Sequence, residues 1–162
     1  MKILGIDPGI GRCGWGIVET KSQELRTRDF GCIETSKDLP LEIRLESLFD
    51  QITKIIKAEK PDAFAIEDLF FNTNSKTAMI VGQARGVILL AAVQNKLPIG
   101  IYTPLQVKMA VTGYGRAEKN QIGMMIKTLL KLESIPKLDD TTDALAVAIT
   151  HAFSYKVLSI KK

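Results

Sequence analysis

Four carboxylates stand at the ends of apolar segments in this 162-residue chain. Asp7 closes the run Ile3-Leu4-Gly5-Ile6, and Glu67 closes Ala63-Phe64-Ala65-Ile66. Asp140 and Asp143 open the stretch Ala144-Leu145-Ala146-Val147-Ala148-Ile149. An acid at the end of a buried strand is costly unless something pairs with it. Acids drawn this way from three distant segments point to one site that collects hard cations. Oxygen-only ligands with open positions suit Mg²⁺ or Mn²⁺, and such sites commonly serve phosphoryl transfer. Each acid also has a plainer explanation. Asp140 and Asp143 are three apart and share a helix face, and acids in a first helical turn, Asp139 included, are favoured by the macrodipole. Asp7 can form the turn before Pro8. Glu67 has no capping role where it stands, and it is the combination that carries the metal reading.

The elements that must position these acids follow from apolar periodicity. Strands are expected over residues 2–7, 13–20, 24–34, 62–67 and 97–102, the first continuously apolar and so buried on both faces. Leu41, Leu45, Leu48, Ile52 and Ile55 mark an amphipathic helix that ends before Pro61. A second helix is expected over 74–95, with Ala78, Val81, Gly82, Arg85, Ile88 and Ala92 along one broad stripe. Thr103-Pro104 reads as an N-cap followed by proline at the first helical position, opening a short helix that stops near Gly113. Another starts near Glu118, with Ile122, Met125, Ile126, Leu129 and Leu130 as its apolar face. The last runs from about Asp140 to about Ser154. Three leading strands joined by short turns imply an antiparallel meander, and later strands joined by helices imply parallel crossovers. The expected architecture is α/β, a mixed five-stranded sheet flanked by helices, in one domain over residues 1–155 with a basic tail at 156–162.

Composition fits one globular domain. Hydrophobic residues make up 46%, which argues against disorder. The formal charge of +4 and pI of about 9.1 permit a polyanionic partner without demanding one. Cys13 and Cys32 fit no metal-ligand spacing and no disulfide framework, and read as small buried hydrophobes. The first apolar run breaks at Asp7, so no signal peptide is expected, and no window approaches a membrane span. These features lead us to expect a soluble, cytoplasmic protein.

The glycines around Asp7 resemble the first phosphate loop of actin-type and sugar-kinase ATPases, whose backbone N–H groups approach phosphate. Those proteins need two such domains to clamp a nucleotide, and this chain has room for one. A closer resemblance rests on four motifs in order: Gly5-Ile6-Asp7-Pro8-Gly9, Pro61-Asp62-Ala63-Phe64-Ala65-Ile66-Glu67, Gly82-Gln83-Ala84-Arg85-Gly86, and Asp140-Thr141-Thr142-Asp143-Ala144-Leu145-Ala146. Over roughly residues 2–153 the chain resembles the RuvC family of bacterial Holliday-junction resolvases.

The resemblance implies a ribonuclease H fold and a homodimer that nicks two strands of a four-way DNA junction during recombination and repair. It makes Asp7, Glu67, Asp140 and Asp143 the catalytic carboxylates and metal ligands. Some relatives carry histidine at the position of Asp143, and the neighbouring Asp68 and Asp139 leave the individual ligand assignment open. Two Mg²⁺ ions roughly 4 Å apart, with Mn²⁺ as a substitute, would hold the attacking water and the leaving 3′ oxygen. Asp7 would bridge them, and the products would be a 5′ phosphate and a 3′ hydroxyl.

The same resemblance places Phe70 at the junction centre, where stacking on a base contributes roughly 1–3 kcal/mol. It sets Lys108 and Lys119 near the scissile phosphate, with Lys119 among the catalytic residues. Arg116 is read as a phosphate contact, and a branch-migration helicase complex is an implied partner. Arg85 is read as structural or interfacial, with DNA contact as the alternative, and no role is assigned to Phe71. His151 is read as a hydrogen-bonded packing residue. Two other functions compete: a small nucleotide-binding phosphotransferase using the Asp7 loop, and a DNA-architecture protein with no need of four acids.

Overall fold

The computed structural model describes residues 1–22, 24–68 and 75–160. Its elements run β1 (Lys2–Asp7), β2 (Arg12–Lys21), β3 (Glu24–Glu34), α1 (Leu41–Glu59), β4 (Ala63–Glu67), α2 (Ser75–Gln94), β5 (Ile99–Tyr102), α3 (Pro104–Thr112), α4 (Lys119–Leu130) and α5 (Asp139–Ile160). The sheet order is β3-β2-β1-β4-β5. β1 pairs antiparallel with β2, and β2 with β3; β1 pairs parallel with β4, and β4 with β5. This is the expected meander followed by helical crossovers.

Strand alternation sorts the side chains into two cores. Leu4, Ile6, Phe64 and Ile66 face α1 and α2, where they meet Leu48, Ile52, Ile88 and Ala92. Ile3 and Ala65 face the other way, toward α5, α3 and α4, among Leu145, Ile149, Val107 and Ile126. Asp7 and Glu67 continue that second series. The alternation therefore delivers both acids to the face that α5 covers.

Close approach of α5 depends on glycine at two sheet positions. A Cβ at Gly5 would collide with the Ala144 carbonyl and come 2.8 Å from Ala148 Cβ. A Cβ at Gly14, which pairs with Asp7, would collide with the Asp140 carbonyl. The bare backbone lets the start of α5 settle onto β1 and β2. Thr141, buried in the first turn, donates from its hydroxyl to the Gly31 carbonyl of β3 at 3.2 Å.

Two expectations are corrected. The last helix does not end near Ser154 but continues to Ile160, because no glycine or proline stops it. The buried stripe of α2 is Ala84, Ile88, Ala91 and Ala92, whereas Gly82 and Gly86 face open space. Cys13 and Cys32 are both free, the first buried and the second half-buried. Among the described residues, no helix is long and apolar enough to cross a membrane.

A carboxylate cleft as the candidate active site

Asp7 and Glu67 end adjacent parallel strands whose last paired residues are Ile6 and Ile66, so the two acids lie side by side. The Asp68 N–H donates to the Tyr102 carbonyl at 2.7 Å, which extends the β4–β5 pairing past Glu67 and fixes its backbone. Asp140 comes from the first turn of α5 and Asp143 from the next, near enough for both charges to act on Asp7. A cleft of about 180 Å³ runs beside them, lined by Glu67, Asp143, Pro104, Lys108 and Lys119.

Two capped helices supply the lysines. The Thr103 hydroxyl accepts from the Gln106 N–H at 3.2 Å, and the Gln106 side chain accepts from the Thr103 N–H at 2.8 Å. That reciprocal cap starts α3 at Pro104 and sets Lys108 one turn in. At α4, the Gln121 side chain accepts from the Glu118 N–H at 2.9 Å, and Lys119 is the first helical residue.

The acids repel one another. Burial pushes Asp7 from 3.8 up to about 7, helped by the charges of Asp143, Glu67 and Asp140 and opposed by Lys119. Burial likewise raises Glu67 from 4.5 to about 7, with Asp143 adding to it and Lys108 opposing. Asp143 is also raised, by burial first. Lys119 is held above the ordinary lysine value by its hydrogen bond to Asp139 and by the charge of Asp143, so it stays cationic and cannot serve as a general base near neutrality.

This donor set fits a divalent cation. Buried carboxylates whose charges oppose one another, as those of Asp143, Glu67 and Asp140 act on Asp7, are what a hard cation discharges. As they stand, no three His, Cys, Asp or Glu side chains among the described residues are grouped tightly enough to hold a metal ion. Side-chain rotation would have to complete the cage.

The acids that blurred the ligand assignment have other partners. Asp68 pairs with Arg85 at 3.4 Å, and the exposed Asp139 pairs with Lys119 at 3.2 Å. Arg85 thereby links α2 to the residue that follows β4. His151 accepts or donates at Nδ1 with the Tyr102 hydroxyl at 2.9 Å, and burial lowers its pKa, as expected of a packing residue. Lys108 and Lys119 reach the cleft. Arg116 is exposed on the α3–α4 loop and does not line it. Phe70 and Phe71 lie outside the described residues.

Two residues that touch Asp140 escaped the sequence reading. Gly14 shows no chemistry in its type. Arg12, whose Nε lies 3.2 Å from Asp140 Oδ2, is one surface-type cation among many. A larger hollow of about 540 Å³, around Glu19, Lys21, Glu24, Arg26 and Arg28, sits at the opposite end of the sheet from Asp7, and its Arg26–Glu24 and Arg28–Glu19 pairs satisfy their own charges.

The model for the family described as crossover junction endodeoxyribonuclease RuvC matches residues 3–151. RuvC of Desulforamulus reducens is 53% identical over 152 residues, covering 94% of this chain and 93% of that protein. RuvC of Caldicellulosiruptor saccharolyticus is 54% identical over 155 residues, covering 95% and 93%. Among solved structures, Thermus thermophilus RuvC in complex with a Holliday junction substrate superposes with a TM-score of 0.93 at 34% identity, covering 97% of this chain and 96% of that one. A yeast mitochondrial Holliday junction resolvase, 12% identical with a TM-score of 0.65, shares the fold.

Proposed function

We propose, from the premise that this chain belongs to the RuvC family, that Asp7, Glu67, Asp140 and Asp143 are the acids with which it cuts DNA. The chain is a crossover junction endodeoxyribonuclease that resolves Holliday junctions, and it is a metal-dependent nuclease. What supports the site assignment is that Glu67 and Asp143 line one cleft with Lys108 and Lys119, while the charges of Glu67, Asp140 and Asp143 all act on the buried Asp7 beside it. The ions are proposed to be Mg²⁺, two per site, with Mn²⁺ able to replace them. When bound, they supply positive charge to the attacking and leaving oxygens of one phosphodiester.

The chain's own groups do the rest. Asp7, whose carboxylate feels the charges of Asp143, Glu67 and Asp140, would help to hold both ions. Lys119, kept cationic by Asp139 and Asp143, neutralises charge that builds on the phosphate, and Lys108 does the same from the Glu67 side. Arg116 contacts a flanking phosphate, and Phe70 stacks at the junction centre. Phe70→Ala is expected to impair cutting while leaving the thermal melt nearly unchanged; a melt many degrees lower would make Phe70 a core residue.

The active unit is proposed to be a twofold homodimer acting in the cytoplasm beside a branch-migration helicase. A four-way junction has approximate twofold symmetry, so paired cuts call for paired sites. The outer face of α2 is the proposed contact. Met79, Leu90 and Val93 are 68%, 50% and 60% exposed there, and nothing lies within 4 Å of a Cβ built on Gly82 or Gly86. Gly86→Glu is expected to split the dimer and to depress paired resolution more than single nicking. Light scattering at micromolar concentration checks the first half; a wild type that is monomeric both free and on the junction refutes it. The activity is tested by asking for symmetric Mg²⁺-dependent nicks in a synthetic four-way junction.

A further inference from the structure

Asp140 is held differently from the other three acids. Its Oδ2 is buried and makes no hydrogen bond, yet Arg12 Nε lies 3.2 Å away. The Asp140 side chain keeps 19% of its exposure, none of it at Oδ2, so what solvent sees is the rest of the group. The Arg12 side chain is 56% exposed, with its Nε against Asp140. It opens β2, two residues before the Gly14 that lies beneath the Asp140 carbonyl. One strand end therefore meets both the backbone and the side chain of Asp140. Glu67 feels Lys108, and Asp143 feels Lys119; Arg12 is the cation paired with Asp140.

We propose that Arg12 is a positioning residue for cation binding: it fixes the buried Oδ2 of Asp140 from the sheet side and so presents the other carboxylate oxygen to the cleft. The inference rests on the assignment of Asp140 as a ligand made above. Partners that orient a ligating carboxylate commonly change metal affinity by about 10–100-fold when removed. The opposite effect is also physically available, because a guanidinium beside a cation site repels the cation, and the sign of the change decides between them.

The test uses Arg12→Gln and Arg12→Lys in the full chain, with thermal melts to verify folding. Mn²⁺ alone is titrated into the protein by calorimetry. Junction affinity is then measured without divalent ions, and single-turnover cleavage with saturating junction across a Mn²⁺ series. For Arg12→Gln, Mn²⁺ affinity is expected to fall about tenfold or more, and the Mn²⁺ concentration that gives half-maximal cleavage to rise with it. Junction affinity should change little, and Arg12→Lys should recover part of the loss. Unchanged or tighter Mn²⁺ binding overturns the proposal. So does a loss of junction affinity with that Mn²⁺ concentration unchanged, which would make Arg12 a plain phosphate contact. Asp140→Asn separates the two levels of inference: wild-type Mn²⁺ binding there removes Asp140 from the ligand set. If Asp140 is a ligand, adding Arg12→Gln to Asp140→Asn should weaken Mn²⁺ no further.

Discussion

Asp7→Asn is expected to abolish cleavage while leaving junction binding intact or slightly tighter. The amide keeps the shape and loses the charge at the centre of the cluster. Binding rests mainly on phosphate contacts by lysine and arginine, and removing a negative charge near phosphate can only help it. The rate should fall by roughly a thousandfold or more, as when one member of a group that acts as a unit is deleted. Metal-dependent cutting near the wild-type rate would remove Asp7 from its role.

The same substitution should stabilise the metal-free protein above neutral pH. Asp7 and Glu67 have folded-state values of about 7 against 3.8 and 4.5 for the free groups. Their folded forms bind protons more tightly than the unfolded chain does. The contribution is therefore fully present below about pH 4 and is lost as pH rises through about 7. At pH 8, metal-free wild type should melt lower than Asp7→Asn, and the gap should narrow by pH 5 and close only below about pH 4. Added Mg²⁺ should raise the wild-type melt at pH 8 and leave that of Asp7→Asn nearly unmoved. A wild-type melt that is flat from pH 5 to 8 without metal would contradict the electrostatics.

Gly14→Ala should damage both stability and catalysis, although it adds one methyl group to a strand. That methyl would meet the Asp140 carbonyl and approach Thr141 N to 2.9 Å, so the first turn of α5 must lift. Overpacking of this kind costs roughly 1–3 kcal/mol, or about 2–4 °C in Tm per kcal/mol for a chain of this size. Displacing Asp140 and Asp143 by about an ångström should cost on the order of a hundredfold in rate. Gly11→Ala is the control, since its Cβ would touch only Arg44 Nη2 at 3.7 Å. Equal behaviour of the two variants would show that α5 does not depend on the bare backbone at Gly14.

The strands were legible because continuous or alternating apolar runs end at turn residues. The 24–34 strand was read with the bounds it adopts, and Thr103-Pro104 marked the start of α3 through capping chemistry alone. The face of α2 was misread because small and apolar residues surround it on all sides, which leaves no period to follow. The end of α5 was missed because Tyr155 and Lys156 break the apolar pattern without breaking the helix. The four acids stood out because carboxylates at strand ends are costly. What the sequence could not carry was pairing in space: Arg85 with Asp68, Lys119 with Asp139, and Arg12 with Asp140 join residues whose types are ordinary and whose separations give no sign of contact.

Single-turnover cleavage of a synthetic four-way junction in Mg²⁺ by six carboxylate variants tests the central assignment most directly. Asp7→Asn, Glu67→Gln, Asp140→Asn and Asp143→Asn should bind the junction without cutting it. Asp68→Asn and Asp139→Asn, whose acids pair with Arg85 and Lys119, should still place symmetric paired nicks. Asp68→Asn or Asp139→Asn as inactive as Asp7→Asn, with any of Glu67→Gln, Asp140→Asn and Asp143→Asn cutting near the wild-type rate, would contradict the assignment.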